Sequence, residues 1–118
     1  MDQKIREQLE NADINVDEAL ERFMNNEGLM LKFLLRFPQD ENFARLKLGL
    51  EQGDATAAYT AAHTLKGVVG NLAMGELFRM VSQVGEDLRG EDLAAAQERM
   101  EPLEVQYLRT IEVLNQLV

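Results

Sequence analysis

The sequence predicts an all-α fold: an antiparallel up-and-down four-helix bundle with one or two short N-terminal helices. Three observations lead there. Apolar residues recur at spacings of three and four along nearly all of the 118 residues, and strand-like alternation is found nowhere. Glycine, asparagine and aspartate gather at short junctions, and connections of a few residues between long amphipathic helices place those helices side by side and antiparallel. Hydrophobic residues make up 46% and charged residues 28%, as in ordinary globular chains, and the length suffices for one core but not two. Residues 1–118 are therefore expected to form a single domain.

Taken in order, Asp2 to Ala12 is charged and carries Ile5, Leu9 and Ala12 at helical spacing. Residues 1–14 read as a short leading helix, free to fray. Asn15-Val16-Asp17-Glu18 starts a second helix, with acidic residues where the positive end of the helix dipole favours them. Ala19, Leu20, Phe23 and Met24 form its apolar side, and Asn25-Asn26 closes it.

After Asn26-Glu27-Gly28, the residues Leu29, Met30, Phe33, Leu34, Phe37, Phe43, Leu46 and Leu50 keep a helical period across Pro38. Proline lacks a backbone donor, so one bent helix is expected, with Gln39-Asp40-Glu41 at the bend and its Phe and Met stripe in the core. Gly53 ends it, and Asp54 is a good N-cap for a helix from Ala55 to about Met74. Gly75 opens the next helix, where Leu77, Phe78, Val81, Val84 and Leu88 repeat at three and four before Arg89-Gly90. Glu91-Asp92 opens the last, to about Gln116, burying Leu93, Ala96, Met100, Leu103, Tyr107, Leu108, Ile111 and Leu114. Pro102 should kink it or start a second helix after Glu101.

Composition excludes several function classes. Twenty-one acidic against twelve basic residues give a formal charge of -9, which repels nucleic acid and anionic membranes alike. With no cysteine and a single histidine there are no disulfides, no thiol chemistry and no transition-metal cage. No apolar run approaches the roughly 20 residues needed to cross a bilayer. Met1-Asp2-Gln3-Lys4-Ile5-Arg6 is too polar for a secretory signal. A cytoplasmic monomer without cofactor or metal is the expectation.

The single histidine marks the candidate site. On a helix of about 3.6 residues per turn, Ala57, Ala58, Ala61, Ala62, Leu65, Val68, Val69 and Leu72 form one apolar stripe. His63 projects from nearly the opposite side, beside Thr56, Tyr59, Thr60, Lys66, Gly67, Gly70 and Asn71. An imidazole is available as a neutral nucleophile around neutral pH, and lysine supplies a compact charge suited to a phosphoryl group. Glycine inside a helix costs about 1 kcal/mol relative to alanine, so Gly67 and Gly70 suggest faces where a side chain would be in the way. No Gly-x-x-x-x-Gly-Lys-Ser/Thr loop is present for a nucleotide. A hydrolase using His63 as general base lacks a partner nucleophile and an orienting carboxylate.

Ala62-His63-Thr64-Leu65-Lys66-Gly67, followed by Asn71-Leu72 and a helix containing Leu77, resembles the histidine-containing phosphotransfer (HPt) domain. The resemblance runs roughly from Asn15 to the C-terminus. It implies a phosphocarrier in a two-component phosphorelay, without ATP-dependent kinase activity. His63 would accept a phosphoryl group from a receiver-domain aspartate and pass it to another receiver, Lys66 would balance the charge, and Gly67 would leave room for the partner. The implied partners are the receiver domains of a hybrid histidine kinase and a response regulator. Tyr59, Thr60, Gly70 and Asn71 are the candidate docking residues around His63, with Phe23, Leu29 and Phe33 as apolar borders.

Two positions depart from the family pattern. Ala73 stands where members often have glycine after the Asn-Leu pair. Gly85 stands 22 residues after the histidine, where some members place a glutamine that hydrogen-bonds near the imidazole; Gln83 and Glu86 are nearby. The alternative function is a docking module of the same fold that regulates a receiver or kinase without carrying phosphate, and such a module would not need the imidazole.

Overall fold

The capping residues legible in the sequence start the helices. In a computed structural model that describes residues 1–117, Asp2, Asn15, Asn26, Asp54 and Asp92 each accept a hydrogen bond from a backbone N–H in the first turn that follows. Each such cap contributes about 1 kcal/mol. The helices are α1 (Gln3–Asn11), α2 (Val16–Arg22), α3 (Glu27–Arg36), α4 (Asn42–Glu51), α5 (Ala55–Asn71), α6 (Gly75–Arg89) and α7 (Leu93–Asn115), with a 3₁₀ turn over Phe37–Gln39.

Five of these helices end in the same way. The backbone N–H groups of Ile14, Asn25, Asp54, Met74 and Asp92 reach back five residues to the carbonyls of Leu9, Leu20, Gly49, Val69 and Asp87. Each closure puts the preceding residue into left-handed backbone: Asp13, Met24, Gly53, Ala73 and Glu91, with φ between 55 and 66°. Only one of the five is glycine. At Ala73 this turn stops α5 at Asn71, three residues short of the expected Met74, because the carbonyl of Val69 takes the N–H of Met74.

The expected single bent helix is two helices. Pro38 falls in the 3₁₀ turn, after which Asp40 is extended (φ −68°, ψ 132°). The Asp40 carboxylate accepts from the backbone N–H of Asn42 at 2.9 Å and also from its side-chain amide. That pair of bonds replaces helical ones and restarts the chain as α4, so the segment breaks where a bend alone was expected. Pro102 does the opposite. The helix α7 runs through it without interruption, since Pro102 and Glu98, whose carbonyl loses its donor, both lie on the exposed side.

The helices α4 to α7 pack in sequence around one core, and α7 returns to α4. Facing residues show each neighbouring pair to be antiparallel. A β-carbon on Gly49 of α4 would lie 2.8 Å from the backbone nitrogen of Ala58 on α5. The Phe78 ring of α6 lies over Gly70 of α5, and Arg99 of α7 pairs with Asp87 of α6. Lys47 of α4 reaches Glu104 of α7 at 2.8 Å, and Phe43 stacks on Tyr107 with ring centroids 4.1 Å apart. Leu46, Leu65, Val69, Leu77, Val84, Leu103 and Leu114 fill the space between.

The N-terminal segment through α1 and the start of α2 is docked, burying Leu9, Ala12, Ile14 and Val16. Arg109 donates to the Asn11 carbonyl at 2.9 Å. The backbone N–H of Asn15 donates to the Ala73 carbonyl at 3.0 Å, and the Asp13 carboxylate accepts from the N–H of Glu76. These bonds hang α2 on the α5–α6 turn. Some expected core positions lie outside the core: Leu29, Phe33, Phe78 and Leu108 are exposed, as is Ala57. On α7 the buried position beside Leu108 is Thr110, whose hydroxyl donates to the Gln106 carbonyl at 3.0 Å. No helix among the described residues is long and apolar enough to cross a membrane.

Candidate functional site

The small side chains of α5 decide where its histidine stands. Ala58, Ala61, Ala62, Leu65 and Val69 are buried against α4 and α6, and His63, on the opposite side, is exposed. Buried alanines let neighbouring helices approach closely, so the imidazole is carried on a packed, stiff support. The Tyr59 ring, one turn earlier, stacks beside it at 5.9 Å between centroids and 20° between planes.

His63 opens onto a cleft of about 270 Å³ lined by Arg22, Lys66, Gly67, Gly70, Asn71 and Phe78. Lys66, Gly67, Gly70 and Asn71 are thus brought together with the histidine, as the helical spacing implies. Thr60 is not. Its hydroxyl donates to the Thr56 carbonyl at 3.0 Å, and it lines a separate groove toward α4 with Leu48, Ala57 and Thr64.

The two glycines differ in what surrounds them. A β-carbon on Gly67 would meet nothing within 4 Å, so the space beside His63 is open. On Gly70 it would lie 3.1 Å from the ring of Phe78, so that clearance is already filled by α6. The Lys66 ammonium sits over the same ring, 5.7 Å from its centroid.

A larger groove of about 660 Å³ adjoins the cleft, sharing Arg22 and Asn71 and bordered by Phe23, Phe33, Arg36 and Val68. The Phe23 and Phe33 rings lie 5.4 Å apart there. Leu29 is exposed but does not line it. Arg22, Arg36 and Lys66 gather around these openings with Asp40 as the carboxylate among the lining residues. In a chain of net charge -9 this end is locally cationic.

Neither candidate substitute for the family glutamine reaches the imidazole. Gln83 accepts from Arg79 at 3.4 Å and from Arg99 at 3.3 Å, toward α7, while Glu86 lies 3.9 Å from Arg89. With Gly70 opposite Phe78 on antiparallel helices, the register puts Gly85 level with His63. A β-carbon there would also meet nothing within 4 Å. Among the described residues the His63 ring makes no hydrogen bond to another side chain.

Arg22 and Phe78 are the cleft residues that sequence reasoning missed. Arg22 arrives from α2, a different element, and nothing local announces it. Phe78 was read as part of the α6 stripe, and Gly70, the glycine it lies against, belongs to another helix.

An exposed imidazole with no carboxylate orienting it is poorly equipped as a general base, whereas as a nucleophile it needs only a clear approach and a counter-charge for an anionic product. The space beside Gly67 is open, and Lys66 lines the same cleft as His63. The sequence model of one family, described as Hpt domain, matches residues 33–117. No curated protein and no solved structure matches the chain.

Proposed function

The chain belongs to the Hpt domain family, and from that membership we propose that it is a phosphorelay intermediate in which His63 is the phosphoryl acceptor. Hpt domains carry phosphoryl groups between receiver domains and are not kinases. The observation that supports His63 is its placement: the one imidazole of the chain is exposed on a packed helix, beside Lys66 and the open space at Gly67.

In the transfer, the unprotonated ring nitrogen of His63 attacks the phosphorus of a receiver's aspartyl phosphate. The N–P bond forms as the P–O bond breaks, the aspartate leaves as carboxylate, and the other ring nitrogen gives its proton to solvent. Phosphoryl transfer of this kind passes through a loose transition state, in which positioning and charge matter more than acid–base chemistry. Lys66 balances the added charge, and Gly67 admits the partner. Reversal of the same step returns the group to a second receiver.

The proposed partners are receiver domains of a hybrid histidine kinase and a response regulator, which dock on a cytoplasmic monomer over the face around His63, with Tyr59 and Asn71 beside it. The test is transfer of label from a radiolabelled, phosphorylated receiver to the chain and to His63→Gln. Acid-labile, base-stable label on the parent and none on the variant is the expected result. Receivers that bind but pass no label would leave the docking-module alternative standing in its place.

A further inference from the structure

The cations of the cleft are held differently. Arg22 is paired with Glu18 at 3.2 Å. Among the described residues Lys66 makes neither an ion pair nor a hydrogen bond, and its ammonium rests over the Phe78 ring. Phe78 is a large apolar side chain left 39% exposed, on a helix whose neighbouring apolar positions Leu77, Val81 and Val84 are buried. It is seated against the helix backbone because Gly70 has no side chain, with 3.1 Å between the ring and a β-carbon built there. Ring, glycine, lysine and histidine share one cleft.

We propose that Phe78, seated on Gly70, is a positioning residue that holds the Lys66 ammonium beside His63. The inference rests on the phosphocarrier reading for its purpose, although the seat itself is a property of the unmodified protein. A lysine side chain has many rotamers, and the electron-rich face of an aromatic ring confines a cation without neutralising it. A carboxylate in the same place would cancel the charge that an incoming phosphoryl group requires. On this account Gly70 serves the interior of the site, and Gly67 serves the partner.

The charge matters after transfer as well. A phosphoryl dianion losing its link to nitrogen approaches a loose, metaphosphate-like state with less charge on its oxygens. A fixed ammonium therefore stabilises the bound dianion more than the transition state, and lengthens the lifetime of the phosphohistidine.

The test uses phosphoramidate, which phosphorylates imidazole without a receiver: the N–P bond to His63 forms and ammonia leaves. Lifetimes are then followed by ³¹P NMR in the parent, Phe78→Leu, Phe78→Tyr, Gly70→Ala, Lys66→Met and the Phe78→Leu/Lys66→Met double variant. Phe78→Leu and Gly70→Ala should each shorten the lifetime about two- to fivefold, the range open to an exposed cation–π contact. Phe78→Tyr should restore it, and Phe78→Leu should add nothing in the Lys66→Met background. In the unphosphorylated protein, the Lys66 side-chain protons should show an upfield ring-current shift that Phe78→Leu abolishes and Phe78→Tyr keeps. A parent-like lifetime in Phe78→Leu, an undiminished effect without Lys66, or a parent that phosphoramidate does not modify would each overturn the proposal. If these results hold but phosphorylated receivers pass no label, the seat stands and the relay function falls.

Discussion

A β-carbon added at Gly67 meets open space, and one added at Gly49 meets the backbone of Ala58 at 2.8 Å. The same substitution should therefore have opposite effects at the two positions. Gly67→Ala is expected to raise stability by up to about 1 kcal/mol, because it removes a flexible residue from the interior of an exposed helix face. Gly67→Phe should keep the fold and block transfer from a phosphorylated receiver. Thermal unfolding of both, alongside a transfer assay on the second, checks this pair; undiminished transfer to Gly67→Phe would sink the cleared-space argument. Gly49→Ala should cost about 1–3 kcal/mol by forcing α4 away from α5, read as a lower midpoint in urea. The place of Gly67 beside His63 was legible because its helical offset from the histidine is local arithmetic. Gly49 gave no such sign, since the atom that crowds it belongs to another helix.

Helix starts were legible apart from that of α4, and helix ends were legible where a glycine marks them, at Gly53 and Gly90. Asp54 and Asn15 were readable as N-caps because a capping side chain acts within three residues of its own position. The closures at Asp13, Met24, Ala73 and Glu91 depend on left-handed backbone in residues that rarely advertise it. At Ala73 the turn is also fixed from outside, by the N–H of Asn15 on its carbonyl, so α5 was read three residues too long. The Ala73 methyl is buried, which offsets part of the strain that a glycine would relieve. Glu91 is exposed and has no such compensation. Glu91→Gly should stabilise by about 1 kcal/mol, and Gly53→Ala, at φ 66°, should destabilise by a similar amount. Equal midpoints in thermal melts of parent and both variants would refute the strain argument. Pro38 was legible as an interruption, but the break came from the Asp40 carboxylate caring for the Asn42 N–H, which spacing alone does not reveal.

Across the whole molecule, the helical architecture and the histidine face followed from periodicity, whereas the cleft had to be assembled from α2, α5 and α6. Arg22 and Phe78 became visible only when those elements met. The core carries a pH dependence of its own. Burial, and after it the charge of Asp40, pushes the Tyr107 phenol above its ordinary value of 10.0. Below that value both folded and unfolded chains hold the proton, and the full stability is present. As pH rises through it, the unfolded chain ionises first, so stability falls until the folded phenol also ionises. Urea midpoints compared between parent and Tyr107→Phe from neutral to strongly alkaline pH should diverge only on the alkaline side, with the parent losing more. The two tyrosines also make the molecule its own optical probe. With no tryptophan in the chain, emission comes from tyrosine alone. Tyr107 is packed with Phe37 and Phe43, whereas Tyr59 lies against His63. Phosphorylation of that imidazole is expected to change the emission of the neighbouring phenol, a change read in real time without a label, and Tyr59→Phe should abolish it.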